Sequence, residues 1–299
     1  MHILITGATG FVGSALCRAL QKNGHDIYIL TRDPQHAHQR TGIHVRARAD
    51  VEAFSDVPLD VIVNLAGAPI FSKAWTDTRK QVLIDSRVKT TEALVALCSQ
   101  MQTPPQLMIS GSAMGYYGDQ GDNRVVESTP PTKEFAHTLC AQWEAAARAV
   151  ESPQTRLAIV RLGLVLDPSG GMLKPLLPMA RLGLASQLGS GRQYMPWVAL
   201  SDAVAALMWL IENTSAEGVY NLSAPMPVSN ARFTGALGQV FNHRPHLRIP
   251  AIVLKLLLGE RAHMLLTGAN MQPARLMDQG FQFQYPTLQS AFQTMFPAQ

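Results

Sequence analysis

Apolar positions along the first half of the chain switch repeatedly between two periods. Ile3-Leu4-Ile5 is a short strand-like run that closes on Gly7. From Phe11 to Asn23 the spacing becomes helical, with Val12, Leu16, Ala19 and Leu20 in phase and Gly24 as a C-terminal stop. The alternation continues with expected strands at 27–31, 61–65, 107–110 and 157–161 and expected helices at 79–101 and 134–150. Several of these strands are apolar on both faces, as strands between two helix layers must be. The pattern predicts an α/β fold with a doubly wound parallel sheet and right-handed crossovers.

After Gly163 the pattern breaks. Pro168, Gly170, Gly171, Pro175, Pro178, Gly183, Gly189, Gly191 and Pro196 punctuate a loop-rich stretch. Helices are expected at 202–212, 230–241 and 250–258, with a strand at 219–222. The expected division is a sheet domain over 1–163 and a smaller C-terminal lobe over 164–299, packed on the carboxyl edge of the sheet. Strands from 164–225 are candidates to return to the sheet.

Composition narrows the partners. The chain has 299 residues, of which 47% are apolar and 15% charged, enough for a substantial core. The net charge of +4 is scattered, so nucleic acid is not an expected partner. No apolar run is long enough to span a bilayer, and no membrane partner is expected. Cys17, Cys98 and Cys140 lie far apart, with neither a disulfide framework nor metal-ligand spacing, and the nine histidines form no cluster. The expectation is a cytoplasmic protein without metal.

Chemistry enters at Gly7-Ala8-Thr9-Gly10-Phe11-Val12-Gly13. Gly7 permits the tight turn, Gly10 lets backbone approach a pyrophosphate, and Gly13 lets the helix pack closely on the strand. The helix N-terminus offers free N–H groups to the phosphates. In strand–turn–helix context these glycines indicate a Rossmann-type dinucleotide site, with Thr9, Phe11 and Val12 in the loop. At the end of the second strand, Thr31 stands where an NAD site places an acid, and Arg32 can pair with a 2′-phosphate. This favours NADP(H), although Asp33 follows one residue later.

Ile5 to Gly13, with Asn64-Leu65-Ala66-Gly67, resembles the extended short-chain dehydrogenase/reductases. Leu65 to Ile70, Asp85-Ser86-Arg87, Ser112 to Gly118, Leu188 to Gln193 and Gly280 to Pro286 narrow the resemblance to the atypical "epimerase family proteins" (family 39U). The resemblance covers about residues 1–295. It implies an epimerase/dehydratase domain followed by a short C-terminal domain of unknown function, here about 247–295, and NADP(H) held in part by Leu65, Ala66, Gly67 and Arg87.

The catalytic pattern of the superfamily is missing. Typical members use Tyr-x-x-x-Lys, in which Lys lowers the Tyr pKa and Tyr exchanges the hydroxyl proton. Aligned on Glu144, the Tyr position is Ala136 and the Lys position is Cys140. Ser112 is the candidate to polarise a carbonyl, while Tyr116 and Tyr117 are the candidate proton carriers. The epimerase arginine that holds nucleotide phosphates is replaced by Met195, which argues against a sugar-nucleotide substrate. Two functions stay open. One is an NADP(H)-dependent oxidoreductase or isomerase acting on an unidentified small molecule. The other is a non-catalytic NADP(H)-binding sensor. A homodimer is compatible with either.

Overall fold

The computed structural model describes residues 1–243 and 247–297. Seven strands form one parallel sheet: β1 (His2–Thr6), β2 (Asp26–Leu30), β3 (Arg46–Arg48), β4 (Val61–Asn64), β5 (Leu107–Ala113), β6 (Arg156–Leu162) and β7 (Gly218–Leu222). Their spatial order is β3-β2-β1-β4-β5-β6-β7, so the chain reverses direction across the sheet between β1 and β4. In such a sheet the crevice beyond the carboxyl ends of the strands at the reversal is where ligands bind. Gly218–Leu222 returns from the second half to pair with β6, from Gly218↔Ala158 to Leu222↔Leu162.

The longer helices are α1 (Phe11–Lys22), α2 (Asp77–Gln100), α3 (Phe135–Arg148), α4 (Leu173–Arg181), α5 (Leu200–Glu212), α6 (Asn230–Val240), α7 (Ala251–Leu258) and α8 (Leu288–Met295). The alternation along β1 explains the two layers. Ile3 and Ile5 face the α1 and α5 side, with Leu16, Leu20, Leu207 and Leu210. Leu4 faces the opposite layer, with Leu94 and Leu97 of α2 and Ala147 of α3. Ile3, Leu4 and Ile5 are all fully buried, as the doubly apolar pattern requires.

Helix α4 is a correction to the loop-rich expectation for the stretch after Gly163. Its residues Leu173, Leu177 and Ala180 are buried at helical spacing in the core of the C-terminal lobe. Pro175 sits in the first turn, where no intrahelical N–H bond is required. Pro178 lies inside the helix and removes one such bond, a cost met by this buried face. β3 was likewise not anticipated. Its three residues pair only at the sheet edge and alternate exposed Arg46 and Arg48 with half-buried Ala47.

The C-terminal lobe carries short ladders of its own, and one further ladder joins it to the first half of the chain. Leu164–Asp167 pairs with Trp197–Ala199 and with Gly170–Gly171, and Arg124–Val125 pairs with Asn270–Met271. Polar contacts fasten the lobe to the loops above the sheet. Lys80 pairs with Glu260, Glu134 with His263, and Arg261 donates to the Phe71 carbonyl.

Candidate functional site

The turn after β1 has no room for side chains where the sequence places glycine. Gly7 adopts φ +69°, and a Cβ there would stand 2.5 Å from the Leu65 carbonyl oxygen. A Cβ on Gly13 would stand 2.2 Å from the Gly7 carbonyl oxygen, so α1 lies directly on the loop. The Gly10 N–H closes the turn on the Gly7 oxygen at 2.9 Å, and Gly10 begins α1 with no side-chain cap and no acid in the first turn. The N–H groups of Phe11, Val12 and Gly13 therefore open the helix without a side-chain partner, the arrangement that receives a phosphate. Thr9 is half-buried beside them. We expect Gly13→Ala to destabilise the fold by about 1–3 kcal/mol. Urea melting would record it, together with loss of any ligand held by the loop.

Phe11 also has a structural task. Gly170 and Gly171 lie against its ring so closely that a Cβ on either would fall within 2.5–2.7 Å of ring carbons. The ring thus seats the first hairpin of the C-terminal lobe on the start of α1.

A buried hydrogen-bond chain ties the β1 turn to the β4 turn. Thr6 Oγ1 donates to Asn64 Oδ1 at 2.6 Å and accepts the Ala66 N–H at 3.1 Å. Asn64 Nδ2 donates to Thr91 Oγ1 of α2 at 2.8 Å. Leu65 N–H donates to the Thr6 carbonyl at 3.2 Å. The structure therefore brings Leu65, Ala66 and Gly67 alongside the glycine turn. Gly67 leaves space for Arg87, because a Cβ there would stand 2.7 Å from the guanidinium carbon. That guanidinium donates to the carbonyls of Leu83 at 3.0 Å and Ala68 at 3.3 Å and lies 5.3 Å from the Trp143 ring centre. Among the described residues it has no carboxylate partner. Burial holds its pKa below the usual arginine range.

At the end of β2, Asp33 is held by His36 at 2.8 Å and Arg40 at 3.2 Å. Arg32 is exposed and forms no ion pair among the described residues, and Thr31 is half-buried before it. The acid is engaged locally while the base is free to meet a ligand phosphate.

At the carboxyl end of β5, Ser112 is buried and donates to Glu144 Oε1 at 2.7 Å. Glu144 is also gripped at both oxygens by Arg161, Nε to Oε1 at 2.8 Å and Nη2 to Oε2 at 2.9 Å. A carboxylate in that pair accepts only. The Ser112 proton is therefore engaged by Glu144, and the hydroxyl oxygen keeps its lone pairs for another donor. Arg161 also donates to the Tyr117 phenol at 2.9 Å, and that phenol donates to Asn221 Oδ1 at 2.6 Å. Tyr117 is fully buried, and burial pushes its pKa up to about 12 despite the neighbouring Arg161. Its hydroxyl is committed at both ends. Tyr116 differs. It is half-buried, its ring lies under the Arg161 guanidinium at 3.3 Å, and its hydroxyl has no protein partner among the described residues.

Ala136 and Cys140 are buried on the face of α3 beneath Gly115. His137 Nδ1 lies 2.8 Å from the Tyr116 carbonyl oxygen, and Cys140 Sγ faces the Ala113 carbonyl. Burial pushes the Cys140 thiol up to about 11, Cys98 to about 11 and Cys17 to about 12. At mildly alkaline pH the folded chain is expected to resist iodoacetamide, with all three thiols labelling only in denaturant. Mass spectrometry of the adducts checks this.

Met195, at the epimerase arginine position, receives the Asn230 side-chain amide through its sulfur at 3.3 Å. Arg192 and Lys174 are exposed, and Trp75 donates to the Ile70 carbonyl at 2.9 Å with its ring edge-on to Phe135. Among the described residues no group of His, Cys, Asp and Glu could hold a metal.

Sequence reasoning missed the Glu144–Arg161 pair. Its signal was an arginine in the otherwise apolar strand Leu157-Ala158-Ile159-Val160-Arg161. A charge in a strand buried on both faces requires a buried counter-ion.

Comparison with known proteins agrees with this geometry. The model of the NAD dependent epimerase/dehydratase family matches residues 3–223, and that of a domain of unknown function, DUF1731, matches 249–295. The epimerase family protein Mb2239 of Mycobacterium bovis is 37% identical over 97% of this chain and 95% of its own length. The mouse epimerase family protein SDR39U1 is 33% identical, over 97% of this chain and 98% of its own. The crystal structure of human SDR39U1 with NADPH superposes with a TM-score of 0.90 at 30% identity, covering 99% of both chains. A Rossmann-type sheet, a glycine turn at its switch point and a matching C-terminal segment thus coincide in one chain, which belongs to the NAD dependent epimerase/dehydratase family, in the group that also carries DUF1731.

Proposed function

We propose that this chain binds NADP(H) across the β1–β4 crevice and acts as an oxidoreductase on a small molecule under the C-terminal lobe. The observation that carries the reading is the glycine turn, which a single Cβ at Gly7 or Gly13 would fill, flanked by Arg32 and Arg87, neither of which has an acidic partner among the described residues. The relative crystallised with NADPH supports the phosphorylated coenzyme. When bound, that coenzyme supplies a hydride donor or acceptor at its nicotinamide ring.

The chain's own residues divide the remaining work. The N–H groups opening α1 hold the pyrophosphate, with Thr9 beside them. Arg32 pairs with the 2′-phosphate, and Thr31 lines its approach. Leu65, Ala66 and Gly67 form the wall on which Arg87 rests. Ser112, with its proton on Glu144, orients a substrate hydroxyl by accepting from it. Tyr116 is the side chain left to exchange a proton, because Tyr117 is committed and Ala136 has none to give. Tyr117 props the site.

Calorimetry tests the coenzyme assignment. NADPH is expected to bind more tightly than NADH, and Arg32→Ala to weaken NADPH about 10- to 100-fold while leaving NADH unchanged, the range of one charge-assisted hydrogen bond. Equal affinity for both coenzymes in both proteins would overturn it. Turnover is tested with NADP⁺ and a panel of alcohols. Loss with Tyr116→Phe and Ser112→Ala supports the enzyme reading. The absence of Tyr-x-x-x-Lys favours a second reading, a coenzyme-binding sensor without turnover. Tight NADPH binding, no turnover on any alcohol or carbonyl, and partner binding that depends on the coenzyme would select it.

A further inference from the structure

We propose that the C-terminal lobe docks onto an anionic lipid surface through α7 and the segments beside it. Seven of the eight residues of α7 (AIVLKLLL) are apolar, yet only Leu254 is buried. Leu256 is 81% exposed, Leu257 72% and Ile252 68%. Neighbouring segments extend the same character. Ser186 pairs in parallel register with Leu247, and Gly183 lies against the His243 ring, which places exposed Leu182, Leu184 and Leu247 on segments adjoining the helix. An eight-residue helix is about 12 Å long. It can lie in the headgroup layer but cannot cross the membrane, and among the described residues no helix is long and apolar enough to cross.

Charge selects the partner. Residues 168–201 and 218–259 contain seven Lys or Arg and no Asp or Glu. Lys174, Arg181, Arg248 and Lys255 are exposed, and none forms an ion pair among the described residues. The next acid, Glu260, is drawn away to Lys80 of α2. An exposed apolar helix that carries Lys255 and follows directly on Arg248 matches an interfacial helix on acidic lipid, where apolar burial and attraction to headgroups add. A second copy would meet the same face with like charge, and the neighbouring acid Glu260 is already paired with Lys80. The expectation of no membrane partner was drawn from the lack of a span; this face would lie on the bilayer surface.

The test is flotation of the purified full chain with vesicles. Binding is expected to vesicles of mixed phosphatidylglycerol and phosphatidylcholine, to weaken as salt rises, and to be slight on phosphatidylcholine alone. Leu256→Glu combined with Leu257→Glu is expected to reduce binding by about tenfold or more. Arg248→Glu with Lys255→Glu is expected to remove the preference for acidic lipid. Circular dichroism and NADPH calorimetry serve as folding controls, since none of these residues lies in the glycine-turn site. Failure of the unaltered chain to float with acidic vesicles would overturn the proposal. So would sedimentation showing a dimer that the leucine substitutions dissolve, with no vesicle binding, which would assign the face to a second copy.

Discussion

Glu144→Gln is expected to destabilise the protein by about 3–5 kcal/mol, the cost of leaving a buried charge without its partner. Arg161 is 3% exposed. Both of its bonds to Glu144 are charge-assisted, and it holds the Tyr117 phenol and the Glu127 carbonyl as well. A glutamine keeps the shape and removes the charge, so Arg161 would remain desolvated with only neutral acceptors. Urea denaturation should show a lower midpoint with an unchanged slope. The double change Glu144→Leu with Arg161→Met should recover most of the loss, because removing both charges removes the desolvation penalty along with the attraction. A single variant as stable as the parent would mean that water already reaches the pair. The variant also weakens the acceptor that holds the Ser112 hydroxyl, since an amide oxygen replaces a full carboxylate.

The elements of the proposed coenzyme site are legible in the sequence because each rests on a local rule. Gly7, Gly10 and Gly13 declare a turn that only close backbone contact explains, and the two-faced apolar strands declare a sheet between helices. The surroundings of Ser112 and Tyr117 were less legible because these groups are paired across long sequence separations. Ser112 meets Glu144, and Tyr117 meets Asn221, 104 residues away. No periodicity along the chain reports that a hydroxyl is already spoken for. The same limit explains Phe11. Its role as a seat for Gly170 and Gly171 depends on a hairpin from the other lobe, and those glycines read only as loop punctuation. α4 was obscured by its prolines, which mark a break unless the buried spacing of Leu173, Leu177 and Ala180 is weighed against them. The exposed face of α7 is not legible in the sequence, because an apolar helix reads as core whether or not other elements cover it.

Arg87→Met is expected to leave the fold as stable as the parent, or more so, while weakening NADPH about 10- to 100-fold. The two effects part company because of where the charge sits. Burial, more than the nearby Arg79, works against the Arg87 charge, and among the described residues no carboxylate offsets it. Its bonds to the carbonyls of Leu83 and Ala68 orient the guanidinium without neutralising it. A methionine of similar length can fill the space between Gly67 and Trp143 without desolvating a charge. A folded chain that keeps such a cation for stability alone would be better served by the apolar residue, whereas one that keeps it for an anionic ligand accepts the destabilisation. Thermal melting without coenzyme and calorimetry with it separate the cases. A lower melting temperature with intact NADPH affinity would assign Arg87 to packing of the β4 loop. Unchanged stability with weakened binding would make it the positive charge that faces the coenzyme where Cys140 supplies none.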